Sequence, residues 1–160
     1  MRIVQPYVHT LDPSVAALAA HAPGYQRVNV GYYDLAYSHL LRELWAEGKD
    51  FVIVEQDVVI TDDVIPGFTW CDCMWATHPI PRHRPPHDPL YASLGCVRFH
   101  ADLIAEHPDL IEVAARFSSG QPAGHWAYLD VAIDVTLRGR GYEPHVHDPP
   151  LVHLPYPTSC

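Results

Sequence analysis

The most apolar stretch of the chain carries two carboxylates among β-branched residues. Residues 51–60 read F-V-I-V-E-Q-D-V-V-I, with Glu55 and Asp57 inside the run. Four apolar residues in a row predict a strand buried on both faces, as in a parallel α/β sheet. Such a strand holds charge only where it leaves the core, so we expect both carboxylates at its carboxyl end. Side chains at i and i+2 of an extended chain share a face, which would let the two acids converge on one hard cation or one set of hydroxyls. A solvated strand end beside a turn is the alternative.

The segments before this run predict two strand and helix pairs. Extended stretches at residues 2–5 and 25–30 alternate with a helix that begins at Asp12 and Pro13 and a second helix between Tyr33 and Gly48. Strand, helix, strand, helix, strand is the order of a doubly wound sheet, and ligands of such sheets lie at the carboxyl ends of the strands. The residues that we expect to emerge together at that edge are Pro6, Tyr7, Tyr32, Tyr33, Asp34, Glu55, Gln56 and Asp57.

The second half of the chain predicts further strands and helices around a loop rich in proline and histidine. The alternation of residues 70–75 indicates a strand after a turn at Pro66 and Gly67, and residues 79–89 form the predicted loop. Gly95 lies in a predicted strand at 91–99, where its missing side chain suits a close approach of backbone or ligand. The remaining predictions are helices at 101–106, 108–117 and 126–138 and extended stretches at 142–147 and 151–154.

Length and composition are those of one folded domain. The 160 residues are 48% apolar and 18% charged, which argues against disorder. The formal charge of -9 disfavours nucleic acid or an anionic membrane as the main partner, because no basic surface is supplied. No apolar run is long enough for a membrane span and no signal peptide is recognisable, so we expect a cytoplasmic protein with reduced cysteines.

One group of cysteines and histidines is a candidate for a zinc site. It consists of Cys71, Cys73, His78, His83 and His87. Thiolate and imidazole are the ligands that zinc prefers. Structural zinc sites usually present paired ligands two to four residues apart, however, whereas here one C-x-C is followed by histidines scattered among prolines. We therefore expect the cysteines to be small core residues of a strand instead.

A second group joins the two carboxylates to histidines near the end of the sequence. Glu55 and Asp57 could share a cation with His145, His147 or His153, and each of the three histidines is a candidate. Two carboxylates and one imidazole leave positions open on Mg²⁺ or Mn²⁺, which diphosphate oxygens can fill. Such a site would explain how an acidic protein binds an anionic nucleotide.

Asp130 is a candidate for proton transfer. It follows Trp126 and Tyr128 near the start of a predicted helix. Aromatic side chains stack on sugar rings, and a nearby carboxylate can accept a hydroxyl proton during group transfer. The alternative is an acid in the first turn of a helix, which the helix macrodipole favours.

The order of these features resembles the GT-A family of nucleotide-sugar glycosyltransferases. The run F-V-I-V-E-Q-D of residues 51–57 is similar to the strand and D-x-D motif of that family, with Glu in place of the first Asp. Residues 93–99, S-L-G-C-V-R-F, resemble its glycine-centred strand on the acceptor side. Residues 151–154, L-V-H-L, are similar to the V-V-H-F segment whose histidine completes the metal site in several members.

The resemblance implies a single GT-A-like domain over residues 1–160, with a mostly parallel Rossmann-like sheet flanked by helices. Residues 1–60 would form the nucleotide-binding half and 61–160 the half that binds the acceptor and completes the metal site. The implied activity is that of a hexosyltransferase, which moves a sugar from a nucleotide-diphosphate donor, most simply a UDP-sugar, to an acceptor hydroxyl with Mn²⁺ or Mg²⁺.

The resemblance also assigns roles to individual residues. Asp57, Glu55 and His153 would bind the metal, with His153 favoured over the other two histidines. Asp130 matches the catalytic base of inverting members and would contact donor or acceptor in a retaining one. The residues implied in donor binding are Pro6, Tyr7, Asp34, Glu55, Gln56 and Asp57. Those implied in acceptor binding are Trp70, Gly95, Trp126 and Tyr128.

Two other functions fit the same sheet. A nucleotidyltransferase would need a basic phosphate clamp, for which Arg82, Arg84 and Arg98 are the candidates. A non-catalytic binding or assembly protein could retain the fold without the activity.

Overall fold

Four consecutive buried residues, Phe51–Val54, form a strand in the middle of the sheet. Phe51 and Ile53 enter one hydrophobic core, while Val52 and Val54 enter a second core on the opposite face. The prediction of a strand buried on both faces is confirmed. The computed structural model describes residues 1–8, 18, 20–22, 24–80, 94–117, 124–148 and 150–154, without the side chains of Trp126 and Ala127.

Strands and helices alternate along much of the described chain. In order they are β1 (Arg2–Tyr7), β2 (Gln26–Asn29), α1 (Ala36–Ala46), β3 (Phe51–Val54), β4 (Val58–Val59), α2 (Val64–Trp70), β5 (Trp75–Thr77), β6 (Cys96–Phe99), α3 (Ala101–Glu106), α4 (Leu110–Ala114), α5 (Trp126–Gly139), β7 (His145–Val146) and β8 (Val152–His153). Leu18, Ala20 and His21 are helical, and most of the helix predicted from Asp12 lies outside the described residues.

The main sheet has six strands in the order β2-β1-β3-β6-β5-β7. β1 is parallel to both β2 and β3, and β5 is parallel to β7. β6 is antiparallel to its two neighbours, so five strands run one way and β6 runs the other. β4 and β8 pair separately as a small antiparallel sheet. The mostly parallel α/β architecture expected from the sequence is confirmed.

Helices cover both faces of the sheet. α1, α3, α4 and α5 contribute to the core that contains Phe51 and Ile53, and α2 contributes to the core that contains Val52 and Val54. Aromatic rings fill the first core, where Phe99 lies 5.4 Å from Trp45 and 5.3 Å from Phe51 between ring centroids. The indole N–H of Trp45 donates to the carbonyl of His107 at 2.8 Å, so burial leaves it satisfied.

The strand predicted at residues 70–75 is wrong except at its last residue, Trp75. Val64–Trp70 form α2, and the strand begins only at Trp75. Pro66 and Gly67 had predicted a turn, but Pro66 lies in the first turn of the helix. The amide groups of a first turn have no intrahelical partner, so proline costs little there. Val64, Ile65 and Phe68 then bury one apolar side of α2 against the sheet.

The run at residues 51–60 is also shorter as a strand than expected. It ends at Val54, turns, and continues as β4 in the second sheet. Most of the predicted proline-rich loop and residues 91–93 of the predicted strand lie outside the described residues. Among the helices that the structure does describe, each is too short or too polar to cross a bilayer.

Candidate active site

The carboxyl ends of the first three strands meet at one edge of the sheet. Tyr7 at the end of β1 pairs with Asn29 at the end of β2, and the Tyr7 carbonyl accepts from the amide of Val30 at 2.8 Å. The amide of Val8, the residue directly after β1, donates to the side-chain oxygen of Gln56 at 2.8 Å. The edge is therefore held together by bonds between residues that are far apart in sequence.

The predicted donor residues occupy this edge in different ways. Pro6 is buried within β1, and the Tyr7 ring carries the guanidinium of Arg27 at 4.3 Å from its centroid. Asp34 is exposed in the loop between β2 and α1. In the same loop Gly31 packs so closely that a Cβ there would lie 2.8 Å from the carbonyl oxygen of Val8. The loop therefore lies directly against the end of β1.

The two carboxylates lie in a turn, not on the face of a strand. The amide of Val58 donates to the carbonyl of Glu55 at 3.2 Å, and the amide of Glu55 donates to Gly95 at 2.8 Å. The alternation that would place i and i+2 on one face applies only to extended chain. Glu55 and Asp57 therefore contact different partners, which is a correction to the expected geometry.

Glu55 is oriented by a buried tyrosine of α1. The hydroxyl of Tyr37 donates to Oε1 of Glu55 at 2.9 Å. The pKa of Tyr37 is raised well above its ordinary value, first by burial and then by the charges of Glu55, Asp130 and Asp57. The phenol is thus neutral and remains a donor. The hydroxyl of Tyr37 therefore contacts Glu55 directly and lies within electrostatic range of Asp130 and Asp57.

Asp57 contacts His153. Antiparallel pairing of β4 with β8 places Val58 opposite His153, and Nε2 of His153 lies 3.1 Å from Oδ2 of Asp57. The amide of Leu154 donates to the carbonyl of Asp57 at 2.7 Å and fixes this register. Burial raises the pKa of Asp57, and the nearby His153 opposes that shift. His145 and His147 lie elsewhere, on and just after β7.

The contact between Asp57 and His153 has the spacing of two ligands on one cation. Adjacent ligands of an octahedral ion with bonds near 2.1 Å are about 3.0 Å apart. The side chain of Asp57 is 12% exposed and that of His153 is 35% exposed, so the pair is reachable from solvent. A carboxylate oxygen and an imidazole nitrogen are ligands that Mn²⁺ accepts. The contact is thus an ion pair by its distance, and its donor types and spacing are also compatible with such a cation.

Asp130 lies on α5, and its charge contributes to the raised pKa of the same tyrosine. Gly124, just before α5, has a positive φ, and a Cβ there would lie 3.1 Å from the hydroxyl of Ser38 on α1. This close packing brings the start of α5 to the neighbour of Tyr37. The first turn of α5 contains no acid, since Asp130 is the fifth residue of the helix. The macrodipole explanation for Asp130 therefore does not apply.

The predicted acceptor residues are divided between two places. Gly95 is buried beside Glu55, and Tyr128 is 36% exposed on the same helix as Asp130. Trp126 begins α5, but its side chain lies outside the described residues. Trp70 is 84% exposed at the end of α2, next to Cys71. The Cys71 carbonyl accepts from Arg98, and Arg98 also bonds to Asp50, which precedes β3. Asp57 follows the other end of β3. Trp70 therefore lies at the end of the sheet opposite to Asp57.

Sequence reasoning missed Tyr37. It lies beside Ala36 in a helix whose apolar face includes Leu40 and Leu41, and that pattern gave no reason to assign the tyrosine a role. A buried tyrosine needs a partner for its hydroxyl, and this requirement was the available signal. The identity of the partner depends on how α1 packs against the sheet, which the local pattern does not contain.

The chain is similar in fold to two solved structures. Against a glycosyltransferase involved in the glycosylation of the major capsid of PBCV-1, the TM-score is 0.57 at 12% identity, with 99% of this chain and 95% of that chain covered. Against A197 from STIV, the TM-score is 0.53 at 10% identity, with 96% and 82% covered. No protein-family model matches the chain, and comparison with curated proteins gave no match. At these identities the similarity shows the fold, which is GT-A-like.

Proposed function

We propose that this protein is a metal-dependent glycosyltransferase that moves a sugar from a nucleotide-diphosphate donor, most simply a UDP-sugar, to an acceptor hydroxyl. The observation that carries the proposal is the contact of 3.1 Å between Asp57 and His153. It lies just beyond the carboxyl end of β3, where ligands of parallel sheets bind. The fold shared with the PBCV-1 glycosyltransferase supports the same class of reaction.

The nucleotide-sugar donor would bind at the carboxyl ends of β1, β2 and β3. Asp57, His153 and Glu55 would hold Mn²⁺ or Mg²⁺, and Tyr37 would keep Glu55 in place through its hydrogen bond. A bound divalent cation supplies positive charge that stabilises the leaving diphosphate. Gln56 ties this turn to β1, which keeps the predicted donor residues Pro6 and Tyr7 beside the metal ligands. The exposed loop that contains Asp34 would cover the rest of the donor.

Asp130 would act as the base that takes the proton of the acceptor hydroxyl. The acceptor oxygen attacks the anomeric carbon of the donor, the bond from that carbon to the diphosphate oxygen breaks, and its electron pair leaves with the diphosphate. The carboxylate of Asp130 accepts the proton of the acceptor hydroxyl. Tyr128 lies on the same helix and is exposed, so its ring is available to an acceptor sugar. This role makes Asp130 catalytic and Tyr128 a binding residue.

The structure weakens the main alternative. A nucleotidyltransferase would need a basic clamp near the donor, and Arg98 was one of three candidates. The Arg98 side chain is 5% exposed and bonded to Asp50 at the far edge of the sheet. Arg82 and Arg84 lie outside the described residues.

Thermal unfolding tests donor binding. UDP or a UDP-sugar at about 100 times its Kd, with Mn²⁺ present, adds about 2.7 kcal/mol to the free energy of unfolding. For a chain of this size that corresponds to a rise in Tm of roughly 5–10 °C. We expect the rise to require Mn²⁺ or Mg²⁺ and to be lost in Asp57→Ala and His153→Ala. Asp62→Ala is the matched control, since Asp62 is a neighbouring acid with a 90% exposed side chain.

The same variants separate binding from transfer. Asp130→Asn should keep the rise in Tm with UDP and Mn²⁺ but lose sugar transfer, or donor hydrolysis when no acceptor is known. Full turnover by that variant would remove Asp130 from the mechanism. If no nucleotide diphosphate stabilises the protein with or without metal, the proposal fails and a non-catalytic role on this fold takes its place.

A further inference from the structure

A cluster of one thiol and two imidazoles lies away from the carboxylates of the candidate active site. Within the described residues, Cys71, His145 and His147 each offer a metal-binding atom, and these atoms all lie within 4.8 Å of one another. The cysteine and the histidines are far apart in sequence and belong to different elements. The cluster therefore exists only in the folded protein.

Two features of the fold build the cluster. Cys71 directly follows α2, and its carbonyl accepts from Arg98 of β6, which fixes the backbone there. His145 begins the edge strand β7, opposite Ala76 of β5, and the amide of His147 donates to the Thr77 carbonyl at 2.9 Å. Residues i and i+2 of extended chain share a face, so both imidazoles are directed toward the end of α2.

His147 has a buried ring nitrogen with the chemistry of a metal ligand. Its Nε2 atom is buried and has no hydrogen-bond partner among the described residues. The ring is held by stacking on His78, with centroids 5.0 Å apart, and by an edge contact with Phe68 at 5.3 Å. A buried polar atom without a partner costs about 1–3 kcal/mol. A metal bond to this nitrogen would remove that cost.

The neutral form of His147 is also favoured. Its pKa is lowered, first by burial and then by the neighbouring His78 and His145 and by Arg98. A neutral imidazole is the form that binds a metal. This shift agrees with the positions of the atoms, which carry the inference by themselves.

We propose that Cys71, His145 and His147 bind one Zn²⁺ ion. Thiolate and imidazole are zinc ligands, whereas Mg²⁺ and Mn²⁺ prefer oxygen, so this site differs in chemistry from that of Asp57. Tetrahedral zinc with bonds near 2.3 Å to sulfur and 2.0 Å to nitrogen holds its ligands about 3.5 Å apart. The three ligand atoms lie within 4.8 Å of one another, so each needs to move by about an ångström to reach that value.

The zinc ion would anchor the segment from β7 to β8. β7 has two residues and, among the described strands, pairs with β5 alone, so few backbone bonds hold it. The chain from β7 continues to β8, which carries His153. Coordination of one zinc ion by Cys71 and both histidines would anchor this segment to the end of α2. The site is thus structural and does not depend on the proposed transferase activity.

Cobalt and zinc titration of the full chain in reducing, metal-free buffer tests the proposal. Co²⁺ should bind in a ratio of one and give the charge-transfer absorption of a thiolate ligand, and Zn²⁺ should displace it and raise Tm. Cys71→Ser should lose the charge-transfer band, and His145→Asn should weaken Zn²⁺ binding at least tenfold. His145 is exposed, so its replacement should leave the fold intact, which circular dichroism checks.

Two control variants locate the bound metal. His100→Asn makes the same change at a histidine whose Nδ1 accepts the Asp102 amide at the start of α3, and asparagine caps helices well. This variant and Asp57→Ala should both keep the charge-transfer band and the zinc affinity. The proposal is overturned if the full chain binds no Zn²⁺ at micromolar concentration, if folded Cys71→Ser keeps the band, or if Asp57→Ala abolishes it.

Discussion

Replacement of Asp50 by asparagine should destabilise the whole sheet. Asp50 precedes β3, and its Oδ2 accepts from Arg98 at 2.6 Å while its Oδ1 accepts from the amide of Ala101 at 2.7 Å. These bonds join β3, β6 and the start of α3. The guanidinium of Arg98 also donates to the Cys71 carbonyl, but its Nε has no partner among the described residues. Asp50 is thus the acid that balances a buried cation.

The magnitude follows from burial. Removing one partner of a buried ion pair typically costs about 3–5 kcal/mol, because the other charge is left without compensation. The Arg98 side chain is 5% exposed and that of Asp50 is 26% exposed, so water weakens the pair slightly. We expect Asp50→Asn to lower the free energy of unfolding by about 2–4 kcal/mol at pH 7. A loss of about 3 kcal/mol would lower Tm by roughly 6–12 °C.

The same pair predicts a pH dependence. Partial burial acts to raise the pKa of Asp50, but the hydrogen bonds from Arg98 and Ala101 and the Arg98 charge outweigh it, so the pKa is lowered. A carboxylate with a lowered folded pKa contributes stability above its unfolded pKa of about 3.9, and that contribution is lost as pH falls through the folded value. The difference between wild type and Asp50→Asn should therefore be constant from pH 6 to 8 and shrink below about pH 4.

Urea unfolding followed by circular dichroism measures both effects. Asp109→Asn is the matched control, because Asp109 forms an ion pair with Arg140 at 2.9 Å but its side chain is 59% exposed. That variant should change the free energy of unfolding only slightly, because exposed ion pairs are screened by water. If Asp50→Asn is as stable as Asp109→Asn at pH 7, Arg98 does not depend on Asp50 and the reasoning is refuted.

Three further substitutions probe the core and the donor edge. Gly31→Ala should destabilise by about 1–3 kcal/mol, because its Cβ would overlap the Val8 carbonyl, whereas Gly139→Ala has open space and should be tolerated; equal stability of the two would contradict this. Tyr37→Phe should reduce the rise in Tm that UDP and Mn²⁺ produce, since Glu55 loses its hydroxyl donor; an unchanged rise would show that Glu55 is oriented without it. Phe99→Ala should cost about 3–5 kcal/mol in urea unfolding, because the ring is fully buried among other aromatic side chains, and a loss below 1 kcal/mol would argue against that packing.

Much of the fold could be predicted because its signals are local. The apolar run at Phe51–Val54 is a buried strand, and the predicted helices at 101–106 and 126–138 match α3 and α5 to within one residue. Helix and strand periods are written into neighbouring residues, so they can be read without knowing what the segment packs against. The end of the strand at Val54 was harder to predict, since the apolar pattern continues past the turn into β4.

The predictions failed where local patterns conflict with packing. Pro66 and Gly67 suit a turn, yet α2 includes both because burial of Phe68 against the sheet favours the helix. Tyr37 has the spacing of a core residue, and only the approach of α1 to the turn after β3 makes it a partner of Glu55.

The sequence by itself determined the order of strands and helices, the buried central strand and the placing of Glu55 and Asp57 at its end. Only the tertiary structure decided which histidines join which partners. The register of β4 against β8 places His153 on Asp57, while β7, paired with β5, directs His145 and His147 to Cys71. Three histidines close together in sequence thus lie near different partners, one beside a carboxylate and two beside a thiol. The physical reason is that strand register and packing are contacts between distant segments, which no local period records.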